Sequence, residues 1–424
     1  MRGRVAILAV GLSAILITGA AWAQAVPPQL LPGFRPQLVP QQQPQLQLQQ
    51  PPQALSQREL TAPPQIQSAL ANMRLAIQQS GLNYTVGVTN ALLRPRPTLL
   101  GDAGEPPPAT QRVAAQAQAN QLLARDDQVR RDLLLANPQL QRTLPDILVL
   151  QLGCNANLTA FNWRDRGKVT PVREQTCGNC WSFAAAAAYE SNYLLRNNQA
   201  VNVSEQYIND CGLTTDGIDA GSCGGGLATK ALDHIDRVGD ASEAAAPYSG
   251  ANQVCTNPAT PFQAVAWGYV DPANDFPSRQ AIKAALCEYG ALTTRLRVVS
   301  DNLFAYTGGV YNEAVASDSA GGGHAVAIIG WDDNRGAWLI KNSWGTDWGE
   351  GGYGWMGYNS NRIGRHTAWI KAASGFYSFA AIAQLKQQLF QVTPRPVAPL
   401  TPVQPVVPNL QIVPNVPVFP VPQR

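Results

Sequence analysis

Charge is scarce in this chain. Only 14% of its residues are charged, the net charge is +3, and no strongly basic stretch occurs. That balance gives no reason to expect nucleic acid as a partner. Histidine is scarcer still, three in 424 residues. None falls at a metal-ligand spacing, so no metal and no other cofactor is expected. Beyond the first 25 residues no apolar run approaches the ~20 residues a bilayer crossing takes. No membrane span is therefore expected once that leader is removed. There is no long internal repeat.

What is present begins with the leader. Arg2 and Arg4 precede an apolar run from Val5 to Thr18, and Ala21-Trp22-Ala23 is a small-x-small cleavage signal. This reads as a signal peptide, residues 1–23, with Ala23-Gln24-Ala25 as an alternative cleavage signal. A membrane anchor is the competing reading, against which the run is short. Export places the protein outside the cell or in a periplasm, where disulfides persist. The chain has seven cysteines. An odd count in an exported protein implies three bridges and one free thiol.

At roughly 150 residues per domain the length allows two or three units, but composition removes both ends. Residues 24–60 are rich in Pro and Gln and poor in large apolar residues, which predicts disorder. Ile66, Leu70, Met73 and Ile77 then fall at helical spacing over 65–80, with Gly81 to end the helix. A β-like run follows at 84–88, and a second helix is predicted over 110–137 with Leu122, Leu123 and Val129 among its apolar positions. Pro138 and Pro145 break it. Residues 61–153 therefore read as a removable prosegment. Residues 154–373 hold all seven cysteines and form the one compact unit. Its first half predicts helices over 180–196 and 204–210, its second half strands over 264–270, 291–299, 325–330 and 337–341. Residues 374–392 allow a short helical extension, about 379–390. Residues 393–424 are a Pro-rich tail, polyproline II by composition, with no partner indicated.

The chemistry lies in three segments. Cys177-Gly178-Asn179-Cys180-Trp181 precedes the Ala-rich helix, so Cys180 sits at a helix N-terminus, where thiolate is favoured over thiol. Taken alone, Cys177-x-x-Cys180 could equally be a redox or metal pair. Gly323-His324-Ala325 leads into an apolar strand, and Lys341-Asn342-Ser343-Trp344-Gly345 follows the next strand. A thiolate nucleophile needs a base, and the base needs a group that fixes its ring. Cys180, His324 and Asn342 supply the three roles. The Asn carboxamide oxygen can accept from one ring N–H and leave the other nitrogen facing the sulfur. Gln175 and the Cys180 backbone N–H are candidate donors to a developing oxyanion.

With these motifs in order, the chain closely resembles the papain and cathepsin family of cysteine peptidases. The resemblance is carried by Asn162-Trp163-Arg164, Thr170-Pro171-Val172, Gln175 through Phe183, Ser204-Glu205-Gln206, Gly221-Ser222-Cys223-Gly224-Gly225-Gly226, His324-Ala325-Val326, and Lys341 through Gly345 with Trp348-Gly349-Glu350. It covers about residues 161–353. The family's local Cys motif places His and Asn about 130–150 residues downstream. Here His324 follows Cys180 by 144 residues and Asn342 by 162.

The resemblance implies an α+β fold of two lobes, one helical and one a β-barrel, with the cleft between them. It makes Cys180 the nucleophile, His324 the acid/base, Asn342 its orienter and Gln175 the oxyanion donor, with Trp344 shielding the His324–Asn342 contact. The Gln175 loop is one residue shorter than the family's and has Thr176 where a Gly is usual. The resemblance also implies Cys177–Cys223 and Cys211–Cys255 bridges, which leaves Cys154 with Cys287. Gly225 and Gly226 would pair with an extended peptide, and Leu227, Ala228, Arg295 and Gly323 would line the main specificity pocket. Arg295 is unusual at a position commonly small or apolar, and we expect it to favour an acidic or polar side chain. An Arg turned to solvent or paired locally is the alternative. His234 and His366 are expected to be structural or surface residues.

The segment Tyr84 to Leu92 is similar to segments ahead of bacterial papain-like peptidases. The interrupted Glu-Arg-Phe-Asn-Ile-Asn helix pattern of many plant and animal members is not evident. The expected activity is thiol-dependent peptide-bond hydrolysis through an acyl-enzyme, on protein or peptide substrates, with the prosegment as inhibitor. The competing readings are an inactive binding protein on the same fold, a cell-envelope interaction protein working through its Pro-rich ends, and an acyltransferase using the same acyl-enzyme.

Overall fold

The computed structural model describes residues 53–136, 153–373 and 386. The leader, nearly all of the Pro/Gln-rich segment, the helical extension other than Lys386, and the Pro-rich tail lie outside the described residues. Lys386 itself is helical.

The N-terminal region holds α1 (Gln53–Thr61), α2 (Pro64–Gln79), β1 (Tyr84–Val86), α3 (Asn90–Leu93) and α4 (Ala109–Ala136). Helix α1 occupies the end of the stretch expected to be disordered, and its Arg58 reaches Asp347 at 2.8 Å. Proline opens α2, where its missing N–H costs nothing. Leu70 and Ile77 of α2 are buried, and Ile66 and Met73 pack against the same core. The helical spacing of these four therefore records a buried face.

The remaining unit begins with β2 (Ala160–Asn162). It continues with α5 (Cys180–Asn197), α6 (Glu205–Cys211), β3 (Gly221–Ser222), β4 (Gly225–Gly226), α7 (Ala228–Val238), β5 (Ala264–Tyr269) and α8 (Arg279–Tyr289). It closes with β6 (Leu292–Val298), β7 (Tyr306–Tyr311), β8 (Gly322–Asp332), β9 (Ala337–Lys341), β10 (Tyr353–Gly357) and β11 (Arg365–Ala372). Helix α5 is built on the Ala184–Ala188 run and is buried along nearly all its length. It ends at Asn198, a left-handed cap with φ 50°. Ser204 caps α6 by accepting from the Tyr207 N–H at 2.9 Å. Helices α5 and α7 share one apolar cluster with Ala368 and Ile370 of β11.

The fold is α+β, but the expected β-barrel is not present. The strands form an open path, β1-β7-β10-β9-β8-β6-β11-β5, with β2 added beside β8. Closure would require the two end strands to pair, and β1 and β5 do not. The N-terminal region supplies one end of the path and packs against the other. Strand β1 pairs antiparallel with β7. Helix α4 packs on β5, with Gln116 against Gly268 and the Arg112 guanidinium 5.6 Å from the Tyr269 ring centre. Strands β7, β10 and β11 and helices α7 and α8 were not anticipated from sequence. Strands β7 and β10 are interrupted by glycine, and β11 opens on the polar residues Arg365, His366 and Thr367, so their signals are weak.

Candidate active site

Helix α5 begins at Cys180, and the loop before it is tied down. Cys177 is bonded to Cys223, and Gly178 donates to the Cys223 carbonyl at 3.0 Å. Cys211 is bonded to Cys255 and Cys154 to Cys287. Cys180 is the free cysteine among the described residues and is fully buried. Its Sγ accepts from the Ala325 N–H at 3.4 Å. This contact sets the start of α5 against β8, one residue from His324.

His324 and Asn342 come from the neighbouring strands β8 and β9. His324 Nε2 lies 2.8 Å from Asn342 Oδ1. A carboxamide oxygen only accepts, so Nε2 carries the ring proton and Nδ1 holds the lone pair. Nδ1 is buried and has no hydrogen-bond partner. The Trp344 ring stacks on His324 with centroids 4.4 Å apart. Ser343 connects the pieces: its N–H donates to Asn342 Oδ1 at 2.8 Å and its hydroxyl to Gln175 Oε1 at 2.7 Å. The Gln175 side-chain N–H₂ is left pointing at two carbonyls, Cys177 at 2.8 Å and Thr98 at 3.0 Å.

Thr98 belongs to the N-terminal region, and the chain from there to Gly104 runs over the site. Trp344 Nε1 donates to the Leu99 carbonyl at 3.3 Å. Gly226 donates to the Gly101 carbonyl at 2.8 Å, Ala103 donates to the Gly226 carbonyl at 3.0 Å, and Asp102 donates to the Gly323 carbonyl at 3.2 Å. Asp102 thereby pairs in parallel with Gly226. The fit is at backbone level. A Cβ on Gly101 would lie 1.7 Å from the Gly178 carbonyl oxygen, and one on Gly323 would lie 1.9 Å from the Asp102 oxygen. Only glycine permits such approach.

This cover sets the ionisation of the site. Burial pushes the Cys180 thiol up to about 12, and the Asp102 carboxylate adds to the rise. The N–H groups of Ala325, Gly101 and Trp181 push back. Burial pushes His324 down to about 4, against smaller upward contributions from Asn342 and the Leu99 carbonyl. Desolvation outweighs the helix terminus here. Thiol and imidazole are both neutral under the cover, whereas a helix N-terminus alone favours thiolate.

The residues expected at the substrate cleft gather on the same stretch of the N-terminal region. Gly226 carries the backbone pairing, Gly225 meets Ala103, and the Leu227 side chain lies against Gly104. Ala228 opens α7 in the cluster that contains Cys180. Arg295 of β6 is buried, not turned to solvent, and its Nε lies 2.6 Å from Asp102 Oδ2. His234 is buried and accepts from the Leu213 N–H at 3.1 Å, away from the site. His366, expected to be structural or on the surface, is buried with Nδ1 3.3 Å from the Arg295 guanidinium. Sequence did not single out Asp102 or Ser343, and gave His366 no role beyond a structural or surface one. Ser343 could have been found from its place between Asn342 and Trp344. Asp102 and His366 carry no local signal, because their partners are 193 and 71 residues away.

The model of the papain family cysteine protease matches residues 158–373, about half of the chain. A "Cysteine protease" of Blomia tropicalis is 32% identical over 209 residues, covering 48% of this chain and 62% of that protein. "Digestive cysteine proteinase 3" of Homarus americanus is 34% identical over 196 residues, covering 45% and 59%. The matched stretch thus spans less than two thirds of these relatives. The solved structure of a digestive procathepsin L2 proteinase from Tenebrio molitor larval midgut superposes with a TM-score of 0.53 at 23% identity. It covers 75% of this chain and 91% of that one, a likeness of fold. With a free thiol at a helix start, a His–Asn pair on adjacent strands and a family match over the same residues, the chain belongs to the papain family of cysteine proteases.

Proposed function

We propose that this chain is the precursor of a cysteine peptidase, held inactive by its own N-terminal region. Cys180 is the nucleophile. Its sulfur attacks the carbonyl carbon of a peptide bond, and its proton passes to His324 Nδ1. Asn342 keeps the imidazole oriented and Trp344 keeps water from that contact. The developing oxyanion takes the Gln175 N–H₂ in place of the Thr98 carbonyl. His324 then gives the proton to the leaving amine, and water releases the acyl group from sulfur. Protein or peptide chains are the substrates. Residues 61–153 act as prosegment and inhibitor, residues 1–23 as a signal peptide, and the mature enzyme works outside the cell or in a periplasm, as in a bacterial member of the family.

One observation carries the reading. The segment over Cys180 presents an N–H, that of Gly101, to the sulfur. Its flanking bonds to Gly226 and Gly323 hold it across the cleft, in the place a substrate would take.

Intact-mass analysis with an epoxysuccinyl thiol-protease inhibitor tests it, before and after mild acid, on the wild type and on Cys180→Ser. One adduct on Cys180 after acid, absent from the variant, is expected. No adduct under either condition would leave the fold as a binding protein.

A further inference from the structure

We infer that the pocket beside the reactive thiol is built for an acidic side chain, and that Asp102 occupies it as a stand-in for a substrate Asp or Glu. This rests on the peptidase reading and names its substrate class.

The argument starts from the partners of Arg295. Its guanidinium, in a residue only 7% exposed, lies against Asp102 Oδ2 at 2.6 Å, the Gly104 carbonyl at 2.9 Å and Glu105 Oε2 at 3.6 Å. All three belong to the N-terminal region. From the rest of the chain it has, among the described residues, only the His366 ring nitrogen at 3.3 Å. Arg365 likewise pairs with Glu105 at 2.8 Å. The nearby carboxylates that would stay behind, Asp275 and Asp318, are engaged elsewhere. Asp275 loses Arg112 of the cover, at 2.9 Å, but keeps His366 Nε2 at 3.0 Å and Arg365 at 3.5 Å, and Asp318 is held by Arg362. Once the cover leaves, Arg295 loses both carboxylates that face it, and its guanidinium opens to the cleft. An apolar side chain would leave that cation unanswered, a basic one would repel it, and a carboxylate would restore the pair.

The position is that of a substrate side chain. Gly101 presents its N–H to the Cys180 sulfur, and Asp102 is the next residue. Its two neighbours bond the two backbone groups of Gly226. A substrate that runs antiparallel to Gly226, opposite in direction to the cover, sets the side chain of the residue preceding its reacting one into the same space.

The test uses the full chain after acid activation. Peptides identical except at the residue preceding the one that supplies the scissile carbonyl carry Glu, Gln, Leu or Arg there. The expected order of kcat/KM places Glu at least tenfold above Gln and Leu, with Arg last. Arg295→Leu should reverse Glu and Leu. A wild type that prefers Leu or Arg would overturn the inference, as would an Arg295→Leu enzyme that keeps the wild-type order. Asp102→Leu gives an independent check without touching the pocket: its activation in acid should be at least tenfold faster than wild type, and Asp102→Glu should stay near wild type. Unchanged or slower activation of Asp102→Leu would also overturn it. Alkylation of Cys180 by the epoxysuccinyl reagent separates the two levels. An alkylated enzyme without acidic preference defeats this inference alone, while an enzyme that is never alkylated defeats the peptidase reading beneath it.

Discussion

The two described regions are held by different means. Residues 153–373 are closed by three disulfides, with sequence separations of 133, 46 and 44 residues. Residues 53–136 contain no cysteine and attach through noncovalent contacts. The Tyr84 ring lies 4.7 Å from that of Tyr311, Asn90 donates to Asp347 at 2.6 Å, and Asp102 pairs with Arg295. One region is cross-linked, and the other is docked without a covalent bridge, as the proposed release of a prosegment requires. The difference is also chemical, because the docked region keeps the thiol and imidazole neutral by excluding water from them.

The largest expected effect comes from Cys180→Ser. Loss of the nucleophile should cut peptide hydrolysis by at least about a thousandfold. If conversion is self-catalysed, that variant should also keep its N-terminal region attached after acid, as seen by intact mass. Gln175→Ala touches both sides of the comparison, since its amide bonds Thr98 of the docked region and serves the oxyanion in the proposed reaction. Loss of one such donor costs about 2.7–4 kcal/mol of barrier, a fall of roughly 10²–10³ in kcat. Steady-state kinetics on the activated variant measures it.

The cross-linked side can be broken separately. Replacing Cys154 and Cys287 by Ala should cost about 2–5 kcal/mol of stability and lower the melting temperature of the activated enzyme. The order of peptide preference should not change, because that bridge lies away from the cleft.

The smallest effect is that of pH on docking. His324, which faces Leu99 of the cover, is pushed down to about 4, mainly by burial. A histidine whose pKa falls on burial favours the buried form fully above its ordinary value near 6.5. That advantage is lost as pH drops from 6.5 towards 4, because the exposed ring binds the proton first. Asp102 acts in the opposite sense. Burial raises its carboxyl despite Arg295, so below that raised value protonation favours the covered form. Release of the N-terminal region should therefore quicken as pH falls through the histidine window, and Asp102→Asn should steepen the response at its acid end. A fluorescent reporter on the N-terminal region follows both.

Local signals were legible in the sequence and relational ones were not. The Ala run, the Ser204 cap and the Ile66–Ile77 spacing each predict an element from adjacent residues, and α5, α6 and α2 lie where those signals place them. The order of the Cys, His and Asn motifs identified residues that the folded chain brings together. The barrel was expected from resemblance, and the open strand path corrects it, because whether end strands meet is a property of the whole sheet. Asp102 sits in a loop with no motif, and its meaning appears only where the loop crosses β6. Helix α1 was hidden by a Gln-rich composition that predicts disorder, yet Arg58 anchors it to Asp347 across 289 residues.

The central claim is that the docked region switches a competent site off by burying it. The most direct measurement is the pH dependence of Cys180 alkylation by iodoacetamide, in the full chain and in the activated enzyme. The account predicts that the full chain reacts only when the pH approaches the value near 12 to which burial pushes its thiol. The activated enzyme should react as a thiolate well below the ordinary cysteine pKa of about 8.5. The same high-pH profile in both forms would contradict it.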